Sequence, residues 1–148
     1  MTDELENRRT TGPIVALDAP FTDLRGDIQP LVNGGFESAQ FISCRKGSVR
    51  ANHYHKKDWH YCYMVEGAMR YYTRPVDSNA EPTWILVTAG QVVFTPAMEE
   101  HAMEFLEESV FINFAGRPRD QADYEDDLVR VQLIPAEQGF SPAVERDA

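Results

Sequence analysis

The chain has little cysteine. Its 148 residues include only Cys44 and Cys62, which are not spaced as a CxxC pair and are too few for a disulfide framework. It also lacks any apolar run near the roughly 20 residues that cross a bilayer, and its first residues, MTDELENRRTTG, hold no apolar signal segment. We therefore expect a cytoplasmic protein with no membrane partner.

Positive charge is scarce as well. The 14 Lys and Arg residues face 24 Asp and Glu residues, for a formal net charge of −10 and a pI near 4.8. A chain of this charge is repelled by phosphate backbones, so we expect no nucleic-acid partner. The length suits one domain with its own core. We place that domain at residues 13–134, between a flexible N-terminal tail at 1–12 and a C-terminal tail at 135–148.

Helical periodicity is missing before Arg117. Short apolar stretches are instead separated by Gly, Pro and Asn at intervals typical of a β-sandwich or barrel. The pattern predicts strands at 14–17, 28–32, 41–47, 49–55, 59–73, 84–88, 92–95, 101–106, 110–114 and 128–134. The segment 59–73 contains a hairpin turn at Glu66 and Gly67. A helical turn is predicted at 122–127. The last strand is expected to pair with the N-terminal segment or a second subunit. The fold class is all-β, and we choose a jelly-roll barrel because the candidate ligands must face inward.

All four histidines fall into one pattern. His53 and His55 alternate along a predicted strand, so their side chains point the same way with backbones about 6 to 7 Å apart. The next four residues form a turn that returns His60 on the neighbouring strand, and His101 is the remaining candidate for a fourth ligand. A single histidine is more often a packed or surface residue, and the shared pattern favours one metal site built from all four.

Strand alternation also predicts what surrounds this site. Cys62 and Met64 share a face with His60, and Met103 and Phe105 share a face with His101. These four side chains, with Trp59 as a further candidate, either line an apolar substrate pocket or simply fill the barrel. For Cys62 a small buried core residue is the simpler interpretation.

Outward-facing aromatic residues follow from the same alternation. Tyr54, Tyr61 and Tyr63 alternate with the histidines and should serve as packing or dimer contacts. Together with Tyr72 and terminal strands able to pair, they predict a homodimer.

Charged residues near the histidines are weaker candidates. Arg50 and Lys56 flank the histidine strand and could hold an anionic substrate, or could belong to an ordinary charged rim. Glu99, Glu100 and Tyr71 are candidate catalytic proton carriers. A carboxylate of Glu99 or Glu100 could also orient a ligand imidazole, although solvated surface charge is the simpler interpretation of both residues.

Two spaced motifs resemble those of the cupin superfamily. The first is Gly47-x5-His53-x-His55-x4-His60-x6-Gly67, and the second is Gly90-x5-Pro96-x-Met98-x2-His101-x3-Phe105. The resemblance covers residues 47–67 and 90–105 and implies the double-stranded β-helix that cupins share. His60, Met98 and Phe105 replace the usual Glu, Gly and Asn of these motifs. A four-histidine site follows, suited to one divalent Zn, Fe, Mn, Ni or Cu ion.

A looser likeness concerns the substrate. VRANHYH, residues 49–55, is similar to the RGLHYQ segment of the dTDP-4-keto-sugar 3,5-epimerases, which are metal-free cupins. FTDLRGDI, residues 21–28, looks like the opening of other sugar-nucleotide cupins. In the epimerases the histidine that matches His53 is the base. If His53 binds a metal its lone pair is occupied and it cannot be that base, so we favour the metal.

These observations support three hypotheses. The first is a mononuclear-metal enzyme in which the ion polarises a carbonyl or enol oxygen of a small sugar-like or keto substrate, in an isomerase, epimerase or lyase reaction. The second is a metal-dependent dioxygenase. The third is a non-catalytic module that binds a sugar or a sugar nucleotide.

Overall fold

The computed structural model of the protein describes residues 9–118 and 120–136. Over these residues the chain forms eleven strands and one helix. In chain order they are β1 (Phe21–Asp23), β2 (Gly26–Ile28), β3 (Ser38–Cys44), β4 (Val49–His55), β5 (His60–Glu66), β6 (Ala68–Pro75), β7 (Thr83–Thr88), β8 (Val92–Thr95), β9 (Glu99–Phe105), β10 (Ser109–Ala115), α1 (Gln121–Asp127) and β11 (Leu128–Arg130). No helix within the described ranges is long and apolar enough to cross a membrane.

The strands form two antiparallel sheets and a separate hairpin. One sheet has the order β3-β10-β5-β8, the other has the order β11-β4-β9-β6-β7, and β1 pairs only with β2. The inner faces of the two large sheets enclose one apolar core. This is the all-β jelly-roll fold that the sequence predicted.

The apolar core confirms most of the predicted interior. Met64, Met103 and Phe105 are fully or almost fully buried between the sheets, together with Cys62, Met69, Tyr71, Val87 and Phe111. Trp59, which we expected beside the histidines, instead packs in a second cluster with Tyr61 and Phe94. Tyr61 is 1% exposed, so it is a packing residue and cannot be the outer dimer contact that we also considered.

Several predicted boundaries differ in the structure. A strand at 28–32 was wrong, since β2 ends at Ile28 and Pro30, which has no N–H to donate, lies in irregular chain. The final strand is limited to Leu128–Arg130, and it pairs with β4 rather than with the N-terminal segment. The helical turn predicted at 122–127 is confirmed as α1.

The N-terminal segment lies along β8. Ile14 and Val93 form a β-bridge, and the Val15 N–H donates to the Val92 carbonyl at 2.9 Å. Arg9, inside the stretch we assigned to the tail, forms a second bridge with Val15. Residues 1–8 of that tail and residues 137–148 of the C-terminal tail lie outside the described ranges.

A β-bulge in β4 decides which of its side chains face inward. Ala51 and Asn52 both have positive φ, 70° and 57°, and the pairing with β9 shifts by one residue there. Arg50 is opposite Met103 before the bulge, and His53 is opposite His101 after it. Because directly paired residues share a face, the bulge turns both Arg50 and His53 toward the interior.

Candidate metal centre

Three histidines form a buried triad between the sheets. His53 and His55 come from β4, and His101 comes from β9, directly opposite His53. Each offers a ligand atom, and these three atoms lie within 4.8 Å of one another. All three side chains are at most 4% exposed. The adjacent strands β4 and β9 supply this triad, and the alternation of His53 and His55 predicted that these two rings share a face.

His60 lies beside the triad and comes from the opposite sheet. We expected it on the strand next to His55, but β5 pairs with β8 and β10, whereas β4 pairs with β9 and β11. Its Nε2 lies 3.1 Å from His101 Nε2, and its ring is also buried. The structure therefore gathers all four predicted histidines, three as a triad and His60 in contact with one of them.

Hydrogen bonds fix where two of the triad histidines carry their protons. His101 Nδ1 lies 3.2 Å from the Glu99 carbonyl oxygen, and His55 Nδ1 lies 3.1 Å from Asp127 Oδ2. A carbonyl and a carboxylate only accept hydrogen bonds, so Nδ1 donates in both rings, and in the neutral form of each ring Nε2 keeps its lone pair. Burial, reinforced by the adjacent His53 and His55, holds the pKa of His101 well below its usual range.

These properties fit a divalent transition metal. Neutral imidazoles with lone pairs on nitrogen are the commonest protein ligands for zinc, copper, iron and nickel. His101 Nε2 cannot accept a hydrogen bond from His60 and bind an ion with the same lone pair. If His60 Nε2 carries a lone pair instead of a proton, the 3.1 Å between the two Nε2 atoms suits two ligands of one ion.

Asp127 and Asp58 form a carboxylate pair behind His55. Neither residue was a candidate from the sequence, and Asp127 lies 72 positions from His55. Asp127 accepts the backbone N–H groups of Lys57 at 2.8 Å and Asp58 at 3.1 Å. Burial raises the pKa of Asp58 from 3.8 to about 6, and the charge of Asp127 adds to the rise. No local pattern in the sequence marks this long-range contact.

The three candidate proton carriers are all held in other contacts. Glu99 forms a two-pronged ion pair with Arg9, at 3.1 and 3.2 Å. The Glu100 carboxylate lies 2.7 Å from an Arg74 nitrogen. The Tyr71 hydroxyl is hydrogen-bonded to Thr95, and burial raises its pKa well above the ordinary value. Its ring stacks on His101 with centroids 6.1 Å apart.

Cys62 is the candidate pocket residue nearest the histidines. Its Sγ lies 3.6 Å from His60 Nδ1 and 3.3 Å from the side-chain oxygen of Asn113. Met64, Met103 and Phe105 belong to the core cluster that also contains Cys62. These apolar side chains fill the barrel interior, where each is at most 1% exposed.

Arg50 and Lys56 lie in different parts of the molecule. The Arg50 Nε lies 3.2 Å from Cys44 Sγ, and both residues line a cavity of about 480 Å³ between the far ends of the sheets. Glu66 and Ser109 also line that cavity. Glu66 ends β5 and Ser109 begins β10, so both lie at the opposite ends of these strands from His60 and Ala115. Lys56 is exposed directly after His55. Only Lys56 is therefore close to the triad.

Met98 keeps the backbone conformation that its motif position requires. Cupins usually have Gly there, and Met98 has a φ of 63°, in the left-handed region. Its N–H donates to the His55 carbonyl at 2.8 Å. This hydrogen bond ties the loop before His101 to the strand that carries the other two triad histidines.

Comparison with known proteins shows similarity of structure and not of sequence. No family model matches the chain, and no curated protein matches its sequence. The solved structures include QdtA, a 3,4-ketoisomerase of Thermoanaerobacterium thermosaccharolyticum, as a mutant in complex with TDP-4-keto-6-deoxyglucose. It is 17% identical with a TM-score of 0.62, and the alignment covers 82% of this chain and 89% of that one.

Two further solved structures are similar to this chain to about the same extent. A 3,4-ketoisomerase from Helicobacter canadensis is 16% identical with a TM-score of 0.65, covering 79% of this chain and 88% of that one. A dTDP-4-dehydrorhamnose 3,5-epimerase from Elizabethkingia anophelis NUHP1 is 16% identical with a TM-score of 0.66, covering 91% and 85%. The fold is therefore that of a cupin with a buried histidine triad. It is the cupin fold found in sugar-nucleotide isomerases and epimerases.

Proposed function

We propose that the protein is a metal-dependent isomerase or epimerase of a nucleotide-linked keto sugar. The observation that carries the proposal is the buried triad of His53, His55 and His101. The hydrogen bonds at Nδ1 of His55 and His101 leave a metal-binding lone pair on each Nε2. The similar structures support the substrate class, since they include a ketoisomerase in complex with a TDP-keto sugar and an epimerase of a dTDP-sugar.

The triad would hold one divalent Zn, Fe, Mn, Ni or Cu ion. When bound, such an ion would supply a Lewis acid that polarises a ketone or enol oxygen and so assists proton removal from the neighbouring carbon. The three ligand side chains are neutral, so they leave the charge of the ion uncompensated and favour an anionic oxygen. Met103 and Phe105 support this chemistry because they exclude water from the barrel interior.

A nucleotide diphosphate needs local positive charge, because the chain as a whole carries −10. Lys56 and Lys57 provide it on the exposed turn that follows His55. Arg50, our other candidate for anion binding, lies at the opposite end of the barrel. We assign phosphate binding to the two lysines.

A non-catalytic sugar-nucleotide module is the second candidate function. It is favoured by the contacts of Glu99, Glu100 and Tyr71, since each candidate proton carrier is engaged in an ion pair or a buried hydrogen bond. Such a module would use the same fold and the same lysines, and it would bind a TDP-sugar without changing it.

Metal analysis is the first test. The purified protein should contain close to one equivalent of a transition metal, and His53→Ala and His101→Ala should each lose most of it. His60→Ala is the comparison variant, because His60 lies outside the triad, and it should retain more metal than either. Full metal content in a His53→Ala, His101→Ala double variant would refute the proposed centre.

Turnover is the second test. TDP-4-keto-6-deoxyglucose is incubated with the protein in D₂O, and exchange at the carbons next to the ketone is followed by NMR. Deuterium incorporation that depends on the metal supports the isomerase, and oxygen consumption during turnover would indicate the dioxygenase instead. Thermal stabilisation by the TDP-sugar with no chemical change would indicate the binding module.

Self-association in the cytoplasm is the remaining part of the proposal. Phe41 on the edge strand β3 is 72% exposed, and Leu24 at the tip of the β1–β2 hairpin is fully exposed. Burial of these side chains in a second copy would give a homodimer. Analytical ultracentrifugation should show a dimer that Phe41→Asp weakens, and a monomer at all concentrations would contradict it.

A further inference from the structure

Asp127 is placed to control the orientation of His55. Its carboxylate is buried and lies 3.1 Å from His55 Nδ1. The same two oxygens accept the Lys57 N–H at 2.8 Å and the Asp58 N–H at 3.1 Å. One side chain thus contacts both a triad histidine and the turn that connects β4 to β5.

The backbone around Asp127 is itself fixed to the histidine strand. Asp127 is the last residue of α1, and its carbonyl accepts the Lys56 N–H at 2.9 Å. The next residue, Leu128, begins β11 and is paired directly with His55. The Tyr124 ring, one turn earlier in α1, lies against His55 with centroids 5.8 Å apart. The carboxylate therefore has little freedom to leave the imidazole.

From this geometry we propose that Asp127 is a positioning residue that holds the proton of His55 on Nδ1 and reserves Nε2 for a metal ion. An ionised carboxylate cannot donate, so its contact with Nδ1 selects one of the two neutral tautomers. A carboxylate in this position also raises the basicity of the opposite nitrogen and limits rotation of the ring. The contact between Asp127 and His55 is independent of any metal. Its role in metal binding rests on the proposed function.

The tautomer of His55 is measured first, in metal-free protein. Nitrogen-15 NMR of the imidazoles should show the His55 proton on Nδ1 in the wild-type protein. In Asp127→Asn one carboxylate oxygen becomes an amide NH₂ group, so three donors compete for one oxygen, and the Nε2–H tautomer of His55 should become populated. Asp126→Asn is the matched control, since it removes the same charge from the neighbouring, exposed position, and it should leave the tautomer unchanged.

Metal affinity is measured next, by titration with Co²⁺ and its visible absorption. We expect Asp127→Asn to weaken binding by about 10- to 100-fold, and Asp126→Asn to change it by less than about twofold. A wild-type His55 with its proton on Nε2 would overturn the inference, even if the variant does not fold. An Asp127→Asn protein that folds and keeps both the tautomer and the affinity would also overturn it.

The two measurements separate this inference from the proposed function. If the wild-type protein binds no transition metal, the proposed centre fails, and the NMR result still decides whether Asp127 sets the tautomer of His55. If the metal binds equally well to wild type and Asp127→Asn, the centre stands and the role of Asp127 fails.

Discussion

Asp58→Asn should change how the stability of the protein depends on pH. Burial raises the pKa of this carboxyl from 3.8 to about 6 in the folded protein. Because the folded state holds the proton more tightly than the unfolded state, stability falls as the pH rises from about 4 to about 6. The pKa difference corresponds to about 3 kcal/mol. We halve this to about 1.5 kcal/mol because Asp58 still touches solvent, at 9% exposure, and solvent screens its charge.

The substitution replaces the ionisable group by one that resembles the protonated acid. Urea unfolding of metal-free protein at pH 4.5 and pH 7.5 gives the free energy of unfolding of wild type and variant. We expect Asp58→Asn to gain about 1 kcal/mol relative to wild type between the two pH values, because pH 4.5 already lies above the ordinary pKa of 3.8 and part of the effect falls below the window. Any fixed effect of the amide on the hydrogen bond from the Trp59 N–H cancels in this difference. Asp126→Asn, on exposed surface, serves as the control, and a gain of zero or of opposite sign would refute the reasoning.

Four further predictions follow from the same structure. Lys56→Ala with Lys57→Ala should weaken TDP binding in calorimetry several-fold, whereas Lys46→Ala, on the turn at the opposite end, should not. Met98→Gly should stabilise the fold by about 0.5 kcal/mol in urea unfolding, since the relief at φ 63° exceeds the added chain entropy; a loss above about 1 kcal/mol would contradict it. Gly67→Ala should destabilise by more than about 2 kcal/mol, because the new Cβ would lie 2.1 Å from Ser109 Oγ and 2.7 Å from its Cα, whereas Gly90→Ala has a similar φ and open space. Finally, amides of α1 and β11 should exchange with solvent faster than those of β9, because β11 is a three-residue strand at the edge of its sheet and β9 lies between two neighbours; equal protection would contradict this.

Much of the site was visible in the sequence because it depends on local periodicity. The alternation of His53 and His55 on one strand put both rings on the same face, and the structure confirms this. The same rule placed Cys62 with His60 and Met103 with His101, and these side chains are buried together. The turn signals at Gly67 and Gly90 likewise predicted where strands end, and both residues have positive φ.

Other features followed from contacts between distant parts of the chain. Neither Ala51 nor Asn52 is glycine, so the sequence did not predict the bulge that turns Arg50 and His53 to the same face of β4. The sheet to which His60 belongs depends on how the strands pair, and the sequence of a single strand does not identify its partner.

The carboxylate next to His55 is the clearest example of a contact that local sequence does not predict. Glu99 and Glu100 are close to His101 in the sequence, yet their carboxylates bind Arg9 and Arg74. Asp127 reaches His55 because β11 pairs with β4. The sequence by itself determined the fold class, the histidine set and the direction in which most side chains point, because these follow from a repeat of two residues. Only the tertiary structure decided which carboxylate meets which imidazole, because that depends on strand pairing across 72 residues of chain.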